Sequence, residues 1–222
     1  DVVLTVSETW VRDLEALGAN RVELITNGYD AEDFQLEKKK NNKFVIGHYG
    51  VLNHLRNPRY LWKILNRICE DNEDFNKRLE IRLSGNIDKE VISEINSYAF
   101  LRDKLKQLGY LSHKKVLEQY NETDVLLLLI FNSKSGLGNY PGKIFEYFAA
   151  KKPILAFGPK NSDAEVLIKK TGTGIYHSYE EEDLLESVNT LYKNDFSFSI
   201  KDTVKFTRMS LTEKLSGLIN SL

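Results

Sequence analysis

The sequence lacks the features that mark disulfide-rich, metal-binding and membrane-spanning proteins. Cys69 is its only cysteine, so neither an intramolecular disulfide nor a cysteine zinc site can form. It falls within a helical apolar pattern, which favours inert packing in the core. The four histidines form no HxxxH or HExxH pairing, and we expect no bound metal. No segment approaches about 18 uninterrupted apolar residues, so no membrane span is predicted.

Other absences narrow the function class. The net charge of −1 gives no general attraction for nucleic acid or for an anionic membrane. Neither GxGxxG nor GxxxxGK(S/T) occurs, so the standard dinucleotide and P-loop fingerprints are missing. No signal peptide is recognised. We expect a cytoplasmic protein, with peripheral contact at the inner face of a membrane left open.

Strand-like and helical segments alternate along most of the chain. Six segments have the composition of buried strands: KFVIGHYG, LEIRLSG, LGYL, DVLLLLIF, PILAFG and GIYH. Helical periodicity lies between them, including two helical stretches over about 89–107, and a final helix is predicted from about Lys201. This alternation predicts an α/β domain with a doubly wound, Rossmann-like parallel sheet. Before it, a strand–helix–strand unit ends at Asn27–Gly28, and the polar stretch from Tyr29 to Lys43 predicts a solvated linker.

A ligand site is predicted at the carboxyl ends of the strands, where sheets of this kind bind ligands. Three predicted strands end in glycine, at Gly50, Gly85 and Gly158. The glycine-containing loop FNSKSGLGNYPG leads into a helix, whose free N–H groups and dipole favour an anion. His48 and His54 flank Gly50 and could reach a ligand there, whereas the other two histidines are expected at the surface and at a strand end.

The helix that follows this loop has two faces. On a helical wheel its apolar residues lie on one side, and the other side carries a cation, a carboxylate and a phenol: Lys143, Glu146 and Tyr147. Lys143 is unfavourable at the positive end of the dipole unless an anion lies nearby. Glu146 is placed to accept hydrogen bonds from two neighbouring hydroxyls of a sugar or ribose. A solvated helix face is the alternative interpretation.

The order of these motifs resembles the GT-B fold glycosyltransferases, in particular the large retaining group, glycosyl transferases group 1, that uses nucleotide-sugar donors. VELITNGYDAEDF resembles the hinge, IGHYGVLNHLRNP the first strand and phosphate loop, and PGKIFEYFAAKKPILAF the donor-site helix. The PGKIFEY form is common in members that act in surface polysaccharide assembly.

The resemblance implies a division of the chain and a substrate class. Residues 1–42 would be the end of an N-terminal acceptor domain with its hinge, and residues 43–222 the nucleotide-sugar donor-binding domain. The donor would be a UDP- or GDP-sugar, with no further cofactor. The acceptor would be a saccharide or a lipid-linked molecule held by the N-terminal domain, so this chain alone would bind donor without transferring sugar.

The resemblance also implies roles for single residues. The implied donor-binding residues are Gly50, Val51, Arg56, Gly85, Tyr110, Leu111, Gly142, Lys143 and Glu146. Glu146 would bind the ribose, the backbone at Tyr110–Leu111 would face the base, and Arg56 and Lys143 would act in catalysis on the diphosphate. Val51 stands where the family often has arginine, and Gly138 stands where it has the first of two paired glutamates.

Two other classes remain open on the sequence. A GT-B nucleotide-sugar epimerase shares the fold and the donor chemistry but needs no acceptor. A non-catalytic nucleotide-binding or receiver-like α/β domain is the third candidate. A receiver would need clustered acidic residues at the end of its first strand, and GHYG contains none.

Overall fold

The computed structural model describes residues 1–34, 42–195 and 203–222. Its strands are β1 Val3–Thr5, β2 Val22–Leu24, β3 Phe44–Tyr49, β4 Leu79–Ser84, β5 Leu105–Gly109, β6 Val125–Leu129, β7 Ile154–Phe157 and β8 Gly174–His177. Its α-helices are α1 Glu8–Ala16, α2 Arg59–Asp71, α3 Glu73–Arg78, α4 Lys89–Ser97, α5 His113–Glu122, α6 Gly142–Ala150, α7 Asp163–Thr171, α8 Leu185–Tyr192 and α9 Arg208–Asn220.

Six strands form one parallel sheet in the order β5-β4-β3-β6-β7-β8. Within this sheet the chain begins with β3 in the middle and runs through β4 to β5 at one edge. It then returns to β6 in the middle and runs through β7 to β8 at the other edge. This is the Rossmann strand order, and its direction reverses between β3 and β6. The predicted doubly wound α/β fold is therefore confirmed. The switch point lies where ligand crevices form in such sheets.

Two apolar clusters cover the two faces of the sheet. The strands β3 and β6 are buried along their whole length, as continuous apolar runs in a parallel sheet require. Cys69 lies in the first cluster with 2% of its surface exposed, which confirms its packing role. Burial raises the pKa of its thiol to about 11.

Tyr147 was predicted on the polar face of the α6 helix, and this prediction is wrong. Its side chain is fully buried, and its ring lies 5.2 Å from that of Tyr120 on α5 in an edge-to-face contact. The helical wheel accounts for one buried side of α6 only. Because α5 packs against a second side, Lys143 and Glu146 keep partial exposure while Tyr147 loses it.

Three predicted boundaries also differ. The strand β5 begins at Leu105, inside the stretch predicted to be helical. The sequence did not reveal this start, because an edge strand with mostly exposed side chains lacks an apolar run. Thr207 caps α9, which starts at Arg208 and not near residue 201. Tyr29 is buried and so does not belong to a solvated linker. Residues 35–41, with most of the basic run, lie outside the described residues.

The β1–α1–β2 unit contacts the six-stranded domain through polar groups. Asp163, at the start of α7, accepts hydrogen bonds from the Thr9 backbone N–H at 2.7 Å and the Thr9 hydroxyl at 2.9 Å. Tyr140 donates to Glu8 at 2.5 Å. The Asp163 bonds place the start of α7 beside the first turn of α1, and the Tyr140 bond places the loop before α6 there.

Candidate active site

A cleft of 440 Å³ opens at the carboxyl ends of β3 and β4, beside the first turn of α6. Its volume falls in the range of about 300–1,000 Å³ that is typical of ligand sites. Seven of the predicted site residues line it: Gly50, Gly85, Tyr110, Leu111, Gly142, Lys143 and Glu146. The sequence thus predicted residues from four separate segments that the fold brings to one place. Their role in binding stays a prediction.

Two glycines leave backbone bare on the strand-end wall of the cleft, which we define as Gly50, Ser84 and Gly85. Gly50 donates its N–H to the Ser84 carbonyl at 2.7 Å, so the sheet pairing continues past the end of β3. Gly85 has a φ of +109°, and a Cβ there would collide with the Gly50 carbonyl oxygen. A Cβ on Gly50 would lie 2.5 Å from the Lys143 ammonium nitrogen. Glycine is therefore required at position 85, whereas at position 50 the close neighbour is the ammonium group of Lys143, at the end of a flexible side chain.

Side chains of α5 and α6 form the helix wall, which we define as Tyr120, Lys143 and Glu146. The helix α6 begins behind Pro141 without a side-chain cap, which favours an anion at its N-terminus. Burial lowers the pKa of Lys143, the carboxylate of Glu146 opposes this shift, and the charge of Arg56 adds to it. A phosphate at this wall would offset the repulsion between the two cations.

Arg56 and Val51 are not among the residues that line this cleft. The Arg56 guanidinium stacks on the Phe131 ring, 3.6 Å from its centre. Its Nε is buried and has no hydrogen-bond partner among the described residues. Burial lowers the pKa of Arg56. A partly desolvated guanidinium near Lys143, with an Nε that no described residue bonds, is suited to an anionic ligand that extends beyond the cleft. Val51 is 43% exposed.

The histidines have different surroundings. His48 is buried, with Nδ1 2.9 Å from the Leu127 carbonyl and Nε2 3.3 Å from the Val51 carbonyl. It therefore supports the loop at the end of β3 through its contact with Val51, and it does not line the cleft. His54 is exposed and lies 3.9 Å from Asp88. His113, which was expected at the surface, lines the cleft from the start of α5.

Sequence reasoning missed five residues of the cleft: Tyr49, Ser84, His113, Val116 and Tyr120. Among them Tyr120 makes the most informative contact, because its hydroxyl donates to Glu146 Oε2 at 2.8 Å. The only sequence signal was its position on the apolar side of α5, which does not reveal a neighbour 26 residues further along the chain.

Two kinds of feature are absent from the described residues. No group of three or more His, Cys, Asp or Glu side chains is arranged to hold a metal ion. No helix in the described ranges is long and apolar enough to cross a membrane.

Several solved structures share this fold at low sequence identity. Anabaena Alr3699/HepE in complex with UDP-glucose superposes with a TM-score of 0.76 at 17% identity, over 100% of this chain and 64% of that one. A glycosyltransferase from Rickettsia africae gives 0.74 at 15% identity, over 98% and 62%. Sucrose-phosphate synthase from Thermosynechococcus elongatus gives 0.72 at 13% identity, over 100% and 58%. The chain thus spans less than two thirds of the length of these proteins.

Sequence comparison gives the family itself. No curated protein matches the chain. Residues 30–207, however, match the family described as Glycosyl transferases group 1, and this range includes every residue of the cleft. The match extends over more than half of the sequence and agrees with the GT-B fold of the structural neighbours. The chain belongs to glycosyl transferases group 1.

Proposed function

We propose that the cleft binds the nucleoside diphosphate part of a UDP- or GDP-sugar, and that the whole protein transfers this sugar to a saccharide or lipid-linked acceptor. One observation carries the proposal. At the switch point of the sheet, a carboxylate and an ammonium group on one helix face bare glycine backbone across a cleft. A ligand that carries both hydroxyls and phosphates is suited to this arrangement, because the carboxylate can accept hydrogen bonds from its hydroxyls and the ammonium group can bind its phosphates.

The two charges suit different parts of the donor. Glu146 can accept hydrogen bonds from the ribose hydroxyls, and charged acceptors bind hydroxyls strongly. Lys143 lies against Gly50, where backbone can approach a diphosphate closely. Arg56, whose Nε has no partner in the part of the chain that the structure describes, would contact the same diphosphate or the sugar beyond it. Tyr110 and Leu111 also line the cleft, and their backbone would face the base.

Neighbouring structures support the donor class. Anabaena Alr3699/HepE is described in complex with UDP-glucose, and an Escherichia coli trehalose-6-phosphate protein with UDP-2-fluoro glucose. Both share the fold with this chain, so we extend a nucleotide-sugar donor to it as part of the proposal.

The proposed chemistry needs the protein to stabilise a leaving group. When the bond to the anomeric carbon breaks, negative charge grows on the nucleoside diphosphate. Lys143, Arg56 and the N-terminus of α6 would stabilise that charge without a further cofactor. One preorganised donor of this kind is worth roughly 3–4 kcal/mol in the transition state.

The proposal assigns the acceptor to another part of the protein. Residues 1–42 would form the end of an acceptor domain with its hinge, and residues 43–222 the donor domain. We place the reaction in surface polysaccharide or glycan synthesis, at the cytoplasmic side of a membrane. Sugar transfer to an added acceptor by residues 1–222 alone would contradict this division of labour.

Calorimetric binding of nucleosides and nucleoside diphosphates tests the site. Glu146→Gln should weaken uridine and UDP, or guanosine and GDP, by similar factors of about tenfold, because a charged hydrogen-bond partner is lost. Lys143→Ala and Arg56→Ala should weaken only the diphosphate. Lys63→Ala removes an exposed charge of α2 and should change neither constant. No binding of any nucleotide at millimolar concentration would overturn the proposal.

A further inference from the structure

Tyr120 combines complete burial with a hydroxyl that reaches the cleft. None of its surface is exposed, and its ring makes edge-to-face contacts with Tyr49 at 5.3 Å and Tyr147 at 5.2 Å. From this fixed position the hydroxyl donates to Glu146 Oε2 at 2.8 Å. The bond joins a rigid aromatic stack to the carboxylate of the helix wall.

The phenol can act only as a donor to this carboxylate. Burial raises the pKa of Tyr120 far above its ordinary value, and the neighbouring Tyr147 and Glu146 raise it further. The hydroxyl therefore keeps its proton at neutral pH. Since a carboxylate has about four acceptor positions, one bond to Tyr120 leaves Oε1 and part of Oε2 for a ligand.

The position of Lys143 shows why such a bond matters. Lys143 and Glu146 are three residues apart on α6, a spacing at which opposite charges commonly pair on a helix. In the described part of the chain the carboxylate is hydrogen-bonded to Tyr120 and no ion pair within 4 Å joins it to Lys143. If the two charges paired with each other, neither group would be available to a ligand that needs both.

We propose that Tyr120 is a positioning residue for donor binding: it holds the Glu146 carboxylate away from Lys143 and aims it at the hydroxyls of the donor. This inference rests on the proposed function, because it needs Glu146 to bind the ligand. Tyr120 acts through Glu146 and does not itself take part in the reaction. Without its hydroxyl the carboxylate can turn toward Lys143.

A double-mutant cycle on ligand binding tests this role. Dissociation constants are measured by calorimetry for uridine and UDP, or for guanosine and GDP if the wild type prefers guanine. Tyr120→Phe, which retains the aromatic stack, should weaken the nucleoside about five- to tenfold. Adding Tyr120→Phe to Glu146→Gln should cause no further loss, because the residue acts only through the charged carboxylate.

Tyr147→Phe is the matched control. It removes a hydroxyl from the same stack, but that hydroxyl faces the Leu127 carbonyl at 3.5 Å and not Glu146. It should leave both dissociation constants within about twofold of the wild type. A loss equal to that of Tyr120→Phe would assign the effect to the stack and overturn the proposal.

Further outcomes separate this proposal from the one it rests on. If Glu146→Gln weakens the nucleoside but Tyr120→Phe does not, or if the two losses add fully, the positioning role is overturned and the donor site stands. If Glu146→Gln has no effect on the nucleoside, both proposals fail. Glu146→Asp keeps the charge but draws it back from Tyr120. It should weaken the nucleoside about as much as Tyr120→Phe, and unchanged binding would contradict the proposal even if Tyr120→Phe folds poorly.

Discussion

The strand-end wall of the cleft presents bare backbone, whereas the helix wall presents the side chains of Lys143 and Glu146. On the first wall Gly85 has a conformation and a neighbour that exclude any Cβ. On the second wall the functional groups are partly exposed and rest on buried tyrosines. The two walls face the same space, but the first depends on backbone conformation and the absence of a Cβ, and the second on charged side chains held by packing.

The difference teaches what each wall tolerates. On the strand-end wall, a side chain at Gly85 would add atoms where backbone already fills the space, so the fold itself should suffer. Substitution of Lys143 or Glu146 on the helix wall removes partly exposed atoms, so the fold should remain and only ligand binding should change. Three predictions test this contrast, from the largest expected effect to the smallest.

Gly85→Ala should give the largest loss of stability. The φ of +109° disfavours an L-residue by roughly 1–2 kcal/mol, and the collision with the Gly50 carbonyl adds an overpacking cost of about 1–3 kcal/mol. We expect the free energy of unfolding in urea to fall by about 3 kcal/mol. Gly142→Ala on the helix side is the control, because a Cβ there meets nothing within 4 Å. If both variants were equally stable, the contrast between the walls would be wrong.

The second prediction concerns pH and the support beneath the strand-end wall. Burial lowers the pKa of His48 from 6.5 to about 4; the hydrogen bond to Leu127 opposes this, and Lys143 and Arg56 add to it. The unfolded chain therefore binds a proton at His48 more readily than the folded one. Stability from this group is present above pH 6.5 and is lost as the pH falls toward 4. One pKa unit is about 1.4 kcal/mol, so the loss between pH 7 and pH 5 should be about 2 kcal/mol.

Urea unfolding at pH 7 and pH 5 measures this loss. His48→Asn does not titrate, so its stability should fall by about 2 kcal/mol less than that of the wild type over the same interval. Equal pH dependence in His48→Asn and the wild type would show that His48 does not couple stability to protonation.

The sequence predicted two of the three residues that define each wall. Glycine after an apolar strand and opposite charges on one helix face are local signals, so Gly50, Gly85, Lys143 and Glu146 could be identified without a structure. The parallel sheet was also predictable, because apolar strands alternating with helices allow few other arrangements. Its Rossmann order placed the predicted residues together.

What could not be predicted depends on contacts between distant segments. The burial of Tyr147 and the bond from Tyr120 to Glu146 both come from the packing of α5 on α6, which neither helix specifies alone. The stacking of Arg56 on Phe131 joins loops that follow different strands. The start of β5 was missed because an edge strand carries few buried side chains.

Tyr110→Ala should have the smallest effect on stability and binding, and it tests whether backbone or side chains bind the base. Its side chain is 93% exposed, so removing it changes little buried area and the fold should be unaffected. If the base is bound by backbone at Tyr110–Leu111, as on the strand-end wall, Tyr110→Ala should leave the nucleoside dissociation constants within about twofold. The preference among uridine, guanosine, adenosine and cytidine should also be unchanged. If the ring instead stacks on the base, binding of every nucleoside should weaken by roughly 1–3 kcal/mol, which is the usual contribution of an aromatic side chain to base stacking. Calorimetry with the four nucleosides distinguishes the two cases. A uniform loss would show that binding of the base depends on side chains, as the helix wall does.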